Sequence, residues 1–216
     1  MLRALHLLFW ILIARPLVLV VLGLNVRHQE RLPQKGPAIV VANHNSHLDT
    51  FVLMSLFPLR RLNMLRPVAA ADYFLRNPVL AWFTLNIVNM IPIERSAPGK
   101  LARDADPLKE CADALSRNEI LLVFPEGTRG ESEALGRFKG GVARLKELHP
   151  EAPVIPVFLQ GLGRVLPKGE IALVPVVVDV FVGATVAWTG SRPDFTKAME
   201  QAVAALAAEA PQRNWR

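Results

Sequence analysis

Cysteine occurs once in the 216 residues, at Cys111, so the chain can form neither a disulfide within itself nor a cysteine-based zinc site. A reducing compartment is the simpler setting for it. Acidic side chains are missing from the first 24 residues, MLRALHLLFWILIARPLVLVVLGL, and polar ones are few, so this stretch avoids water. No small-x-small pattern follows its apolar core, which argues against a cleaved leader. Repeats and low-complexity tracts are absent. Gly-x-Ser-x-Gly is absent too, which leaves Ser46 without the elbow of a covalent serine nucleophile. The balance of 25 Lys and Arg against 19 Asp and Glu leaves +6, compatible with nucleic acid, anionic lipid or phosphorylated substrates and unable to choose among them.

The length suits one large domain, or one domain with an appended segment. A bilayer span needs about 20 apolar residues. The first stretch reaches that length only with Arg15 and Pro16 near its middle, where an arginine costs about 2.5 to 3.5 kcal/mol. Two shorter apolar pieces, 4–14 and 17–24, with Arg15 reaching the headgroups, avoid that cost. The expectation is therefore a membrane-resting anchor over 1–24 and a domain over 25–216. A spanning helix and a buried core helix are the alternatives.

Beyond the turn-rich RLPQKGP, the run AIVVAN predicts a short, fully buried strand. Helix is predicted over 48–57, a strand at RPVAA, a helix kinked or split by Pro78 over 72–86, and a strand at NMIPI. Residues 102–117 form an amphipathic helix with Cys111 on its buried face. EILLVF is the clearest strand, and a glycine-rich polar loop and a helix to Leu148 follow it. APVIPVFL and VPVVVDVFV are further strands, and a last helix covers 194–208. Alternating strands and helices predict an α/β fold, an αβα sandwich with a mostly parallel central sheet.

Two polar clusters follow predicted strands. In open α/β sheets the carboxyl ends of the strands host the ligand, so NHNSHLD (43–49) and FPEGTR (124–129) would share one edge despite lying about 80 residues apart. His44 and Asp49 are spaced so that the chain can fold back and the carboxylate accept a bond from the imidazole, leaving the other ring nitrogen as a base. An Asp49 helix cap with a turn-bound His44 is the bland alternative. A metal held by His44, His47 and Asp49 lacks a clear further ligand in the sequence. In the second cluster Gly127 permits close backbone approach, Thr128 offers a hydroxyl, and Arg129 presents a fork suited to two phosphate oxygens. Glu126 is out of place beside an anion unless it orients Arg129 or a substrate hydroxyl. Arg95, Arg137 and Lys139 add cations that would equally suit a solvated loop.

Together these blocks resemble the lysophospholipid acyltransferase family, the group that includes the 1-acyl-glycerol-3-phosphate acyltransferases. NHNSHLD is similar to the family's Asn-His-x4-Asp block, FPEGTR to its second hallmark, IPIER to the block between them, and VIPVFL to a fourth; the resemblance covers about residues 22 to 185. It implies an O-acyltransferase in which His44, oriented by Asp49, deprotonates a lysolipid hydroxyl that attacks an acyl thioester. It also implies that Arg95, Glu126, Gly127, Thr128, Arg129 and Lys139 place the acceptor, and that backbone N–H groups after Asn45 hold the oxyanion. The implied partners are membrane lipids, a lysolipid acceptor, and acyl-CoA or acyl carrier protein as donor, with no nucleic acid, metal or redox cofactor. The site would face the cytoplasm. Ala69, Ala70 and Ala71 occupy a region where many members carry a lysine, and Glu94 stands where Asp is common. Acceptors other than lysophosphatidate, such as a lyso-ornithine lipid, therefore stay open, as does a non-catalytic, membrane-bound lipid-binding module.

Overall fold

The computed structural model describes residues 2–94, 106–128, 135–165 and 177–211. Along the chain lie α1 Leu2–Val20, β1 Leu24–Arg27, β2 Ala38–Ala42, α2 Leu48–Ser55, β3 Leu65–Ala70, α3 Ala71–Phe74, α4 Pro78–Asn86 and β4 Ile91–Ile93. They are followed by α5 Lys109–Ser116, β5 Ile120–Val123, α6 Gly141–Leu148, β6 Val154–Gln160, α7 Leu162–Val165, β7 Val178–Val182 and α8 Arg192–Glu209. The strands form one sheet in the order β1-β7-β6-β2-β5-β3-β4. β6, β2, β5, β3 and β4 run parallel, β7 is antiparallel to β6, and β1 follows the direction of β7. This is the expected α/β sandwich with a mostly parallel sheet.

The central strand β2 shows why both faces must be covered, since all five of its residues are buried. Side chains alternate across a strand, so Ala38, Val40 and Ala42 join a core with α1 and α2, while Ile39 and Val41 join a second with α5, α6 and α8. Cys111 is fully buried in that second core, as its helical spacing predicts. Helix α8 enters it through Phe195, Met199, Val203 and Leu206, and starts where Ser191 Oγ accepts the Asp194 N–H.

Pro78 splits the predicted 72–86 helix rather than kinking it. It opens α4, where its missing N–H costs nothing, and the Asn77 side chain accepts from the N–H groups of Val79 and Leu80. Helix α2 ends at Ser55, and the 102–105 part of the predicted 102–117 helix lies outside the described residues, as do 174–176 of the last predicted strand.

The N-terminal segment departs from expectation in two ways. It does not break at Pro16, because wide i→i+5 turns at Trp10–Ala14 and Leu17–Val21 flank the proline and absorb the bond it cannot make. Those turns bring His6, Trp10, Ala14, Val18 and Leu22, every fourth residue, onto one buried stripe. Nor does Arg15 reach outward to headgroups. Its Nη2 donates to the Ser55 and Phe57 carbonyls at 3.1 and 2.9 Å, satisfying orphan acceptors at the negative end of α2.

Candidate active site

β2 and β5 are parallel neighbours in register, Val41 opposite Val123, so the chain leaves both strands at the same sheet edge. The segment after β2 is then fastened by amides. The Asn43 Nδ2–H group donates to the Leu159 carbonyl at 2.9 Å, and Asn43 Oδ1 accepts the Leu159 N–H at 2.7 Å. A side chain thus continues the ladder with β6 while the Asn43 backbone is free to turn. Asn45 Nδ2 donates to the same carbonyl at 3.1 Å. His44 lies between these two pins, and each bond contributes about 0.5 to 1.5 kcal/mol.

His44 Nδ1–H donates to Asp49 Oδ2 at 2.8 Å, which leaves Nε2 as the ring's free lone pair. The ring stacks on Phe124 with centroids 4.3 Å apart. Asp49 is fully buried, and burial pushes its carboxyl up; the bonds from His44 and from the Asn45 and Ser46 N–H groups, at 2.7 and 2.8 Å, oppose that shift. Those bonds also engage several of the expected oxyanion donors. The N–H groups of Asn45 and Ser46 are taken by Asp49 Oδ2, those of Leu48 and Asp49 by Ser46 Oγ and O, so none of the four is available to a substrate oxygen. The acidic residue that steadies the histidine takes two of them and Ser46 the other two.

The second cluster meets the first through Glu126. Its Oε1 accepts the His44 backbone N–H at 3.2 Å, and the side chain is buried. Burial raises the Glu126 carboxyl above its ordinary range, against the lowering effect of N–H groups from His44 and Gly136. Gly127 takes a φ of +72°, and a Cβ there would lie 2.5 Å from Lys139 Nζ, so glycine is what lets the ammonium lie against this turn. Arg129 and Arg95 lie outside the described residues. His47 stacks on Tyr73 at 5.2 Å.

The raised Glu126 carboxyl gives a stability prediction. A group whose folded pKa exceeds its unfolded value, ordinarily 4.5, stabilises most below that value and loses its contribution as pH rises through the folded one. Thermal midpoints of Glu126→Gln and the parent should therefore diverge in favour of the variant as pH climbs from about 4.5 to 7. A gap that is constant with pH would show that burial does not govern this carboxyl.

His44, Gly127, Thr128 and Lys139 line one cleft of about 1170 Å³ with Ala69, Ala70 and Glu94. Its apolar wall includes Phe51, Val68, Phe83, Val88, Val123 and Leu145. Cys111 also borders it, with a thiol that burial pushes up to about 12 and so holds protonated. Arg137 lines a separate groove against α8. The roles of Asn43, Asn45 and Phe124 escaped the sequence reading. Amides flanking a histidine at a strand end were the available signal for the first two; Phe124 gave none.

A histidine backed by a buried aspartate at the carboxyl edge of a parallel sheet, opening on a large apolar cleft beside a cationic glycine turn, defines an α/β protein equipped to handle a lipid-like substrate. Residues 23–160 match the family described as Acyltransferase, and the chain belongs to that family. It is 31% identical over 148 residues to the chloroplastic 1-acyl-sn-glycerol-3-phosphate acyltransferase LPAT1 of Arabidopsis thaliana, covering 68% of this chain and 38% of that protein. A 1-acyl-sn-glycerol-3-phosphate acyltransferase of Pseudomonas aeruginosa is 30% identical over 207 residues, 93% of this chain and 74% of that one. The chain thus spans about two-fifths of the Arabidopsis relative and about three-quarters of the bacterial one. The crystal structure of the 1-acyl-sn-glycerophosphate acyltransferase PlsC from Thermotoga maritima shares the fold, with a TM-score of 0.73 at 22% identity over 98% of this chain and 81% of that one.

Proposed function

We propose that the protein transfers a fatty acyl group from an acyl thioester, acyl-CoA or acyl carrier protein, to the free hydroxyl of 1-acyl-glycerol-3-phosphate, giving phosphatidate. The observation that carries this reading is the His44 Nδ1–Asp49 Oδ2 bond of 2.8 Å inside an apolar cleft, in a chain of the acyltransferase family. His44 Nε2 takes the acceptor's hydroxyl proton as the oxygen attacks the thioester carbonyl. The C–S bond then breaks, and the leaving thiolate takes the proton from the imidazolium. Asp49 holds the tautomer and balances the passing positive charge. Glu126 works from behind, by fixing the His44 backbone. Gly127, Thr128, Lys139, Arg129 and Arg95 are assigned to the acceptor's headgroup, with the arginines facing its phosphate.

The N-terminal helix is an anchor of an altered kind. One stripe of α1 packs in the protein core while Leu5, Leu8, Leu12 and Leu19 are about half exposed or more, which supports a helix that offers a bilayer its outer face and rests in the interface; a soluble acyl-thioester donor assigns that interface to the cytoplasmic side.

Thiol release from acyl-CoA, followed with and without lysophosphatidate, tests the activity. Release that requires the acceptor supports transfer; release without it makes the protein a thioesterase, and no release with either acyl-CoA or acyl carrier protein removes the proposal. Arg129→Ala should raise KM for lysophosphatidate about 10- to 100-fold, the loss of a charged hydrogen-bond pair, with little effect on an uncharged lysolipid. An equal loss with every acceptor would place Arg129 in the structure or at the donor.

A further inference from the structure

Helix α4 has an unusual composition for its position. Apart from Thr84 and Asn86 its residues are apolar on every side, a pattern that belongs to a helix buried all round, yet Val79 is 75% exposed, Trp82 47% and Leu85 39%. Tyr73 and Leu75, just before it, are 47% and 43% exposed. Water is a poor solvent for such a face, and contiguous exposed apolar surface marks a contact site.

Two further observations say what covers it. Helix α4 packs beside α1: Phe9 meets Phe83 edge to face at 5.1 Å, and His6 Nδ1 bonds the carbonyl of Ile87 at 2.8 Å. The two helices are thus neighbours that each leave apolar side chains exposed, and the first is long enough to lie in a bilayer interface. Charge is distributed to match. Residues 1–93 hold nine Lys and Arg against three Asp and Glu, one of which is the buried Asp49, whereas residues 94–216 hold sixteen of each. The whole net charge of +6 thus sits in the part of the chain that carries both apolar helices. A net positive charge carried by the same part of the chain as exposed apolar helices is what an anionic leaflet attracts.

We propose that α4 is a second lipid-contacting helix, which with α1 seats the protein on an anionic leaflet through Tyr73, Leu75, Val79, Trp82 and Leu85. The helix has a cleft on its other side, lined by Leu80, Phe83 and Thr84, so one helix thickness separates the membrane from the place where His44 faces its substrate. A lysolipid then needs to pass only this wall, and exposed Arg76, at the turn before α4 and on the cleft lining, stands where a phosphate would enter. The inference rests on the proposed lipid-acyltransferase function only for this last purpose; the membrane contact is independent of catalysis.

The test uses the full chain and vesicles of phosphatidylcholine with or without phosphatidylglycerol. Lipid brominated along its acyl chains should quench Trp82, so the quenching seen in the parent should fall in Trp82→Phe. The double variant Val79→Glu/Trp82→Glu should partition to anionic vesicles at least about tenfold more weakly, with an unchanged thermal midpoint and unchanged turnover of a water-soluble short-chain acceptor. Undiminished quenching in Trp82→Phe, or undiminished partitioning of the double variant, overturns the proposal. A protein that binds through α4 but transfers no acyl group would leave this inference standing and remove the function; an active protein indifferent to these substitutions would do the reverse.

Discussion

Replacing His44 by alanine should lower turnover by at least about 10² while moving the thermal midpoint little. The asymmetry follows from what holds the segment in place. Its pins are the Asn43 and Asn45 amides on Leu159 and the Glu126 carboxylate on the His44 backbone N–H, and alanine keeps all of them. What is lost is the stack on Phe124 and one of three bonds to Asp49 Oδ2; the N–H groups of Asn45 and Ser46 still hold that oxygen. The stability cost is therefore about 1 kcal/mol, near that of one hydrogen bond. The chemical cost is the base itself. Saturating kinetics with acyl-CoA and lysophosphatidate would check the first figure and a melting curve the second. Added imidazole should restore part of the activity by entering the space left against Phe124. Near-parental turnover would remove His44 from the chemistry.

The convergence of the two polar clusters was legible in the sequence for a simple reason. Both follow short apolar runs of the kind that parallel strands need, and parallel strands release their chains at one edge. The His44–Asp49 bond was legible too, because five residues at a strand-to-helix turn can close on themselves. Less legible was everything that depends on a distant partner. Nothing near Asn43 announces that its amide will pair with Leu159, 116 residues away, or that the Arg15 guanidinium will cap the carbonyls of α2 rather than seek a headgroup. The N–H groups after Asn45 looked like an oxyanion site because their competitors, Asp49 Oδ2 and the Ser46 oxygens, become visible only when the turn is built. Helix α4 was legible only as a helix interrupted at Pro78; which side of it would be left uncovered is decided by the packing of α1 and the cleft, and composition carries no record of either.

Asp49→Asn should separate the charge of this carboxylate from its structural work. All three of its described bonds converge on Oδ2, while Oδ1 is buried without a hydrogen-bond partner. Asparagine can place its carbonyl oxygen where Oδ2 lies and keep the turn. Its amide nitrogen then occupies the unpartnered position, at a cost of about 1 to 3 kcal/mol. The negative charge that balances the imidazolium during proton transfer is gone in either orientation. If the side chain flips, the amide donates toward Nδ1 and forces the proton onto Nε2, the nitrogen that has to be free to accept one. Turnover should fall by about 10² to 10⁴, with KM for donor and acceptor nearly unchanged, since Asp49 has no exposed surface to touch either. Asp49→Ala, which strands three donors instead, should lose stability as well as activity. A rise in KM with kcat preserved in the asparagine variant would mean that Asp49 shapes the cleft and takes no part in the proton transfer.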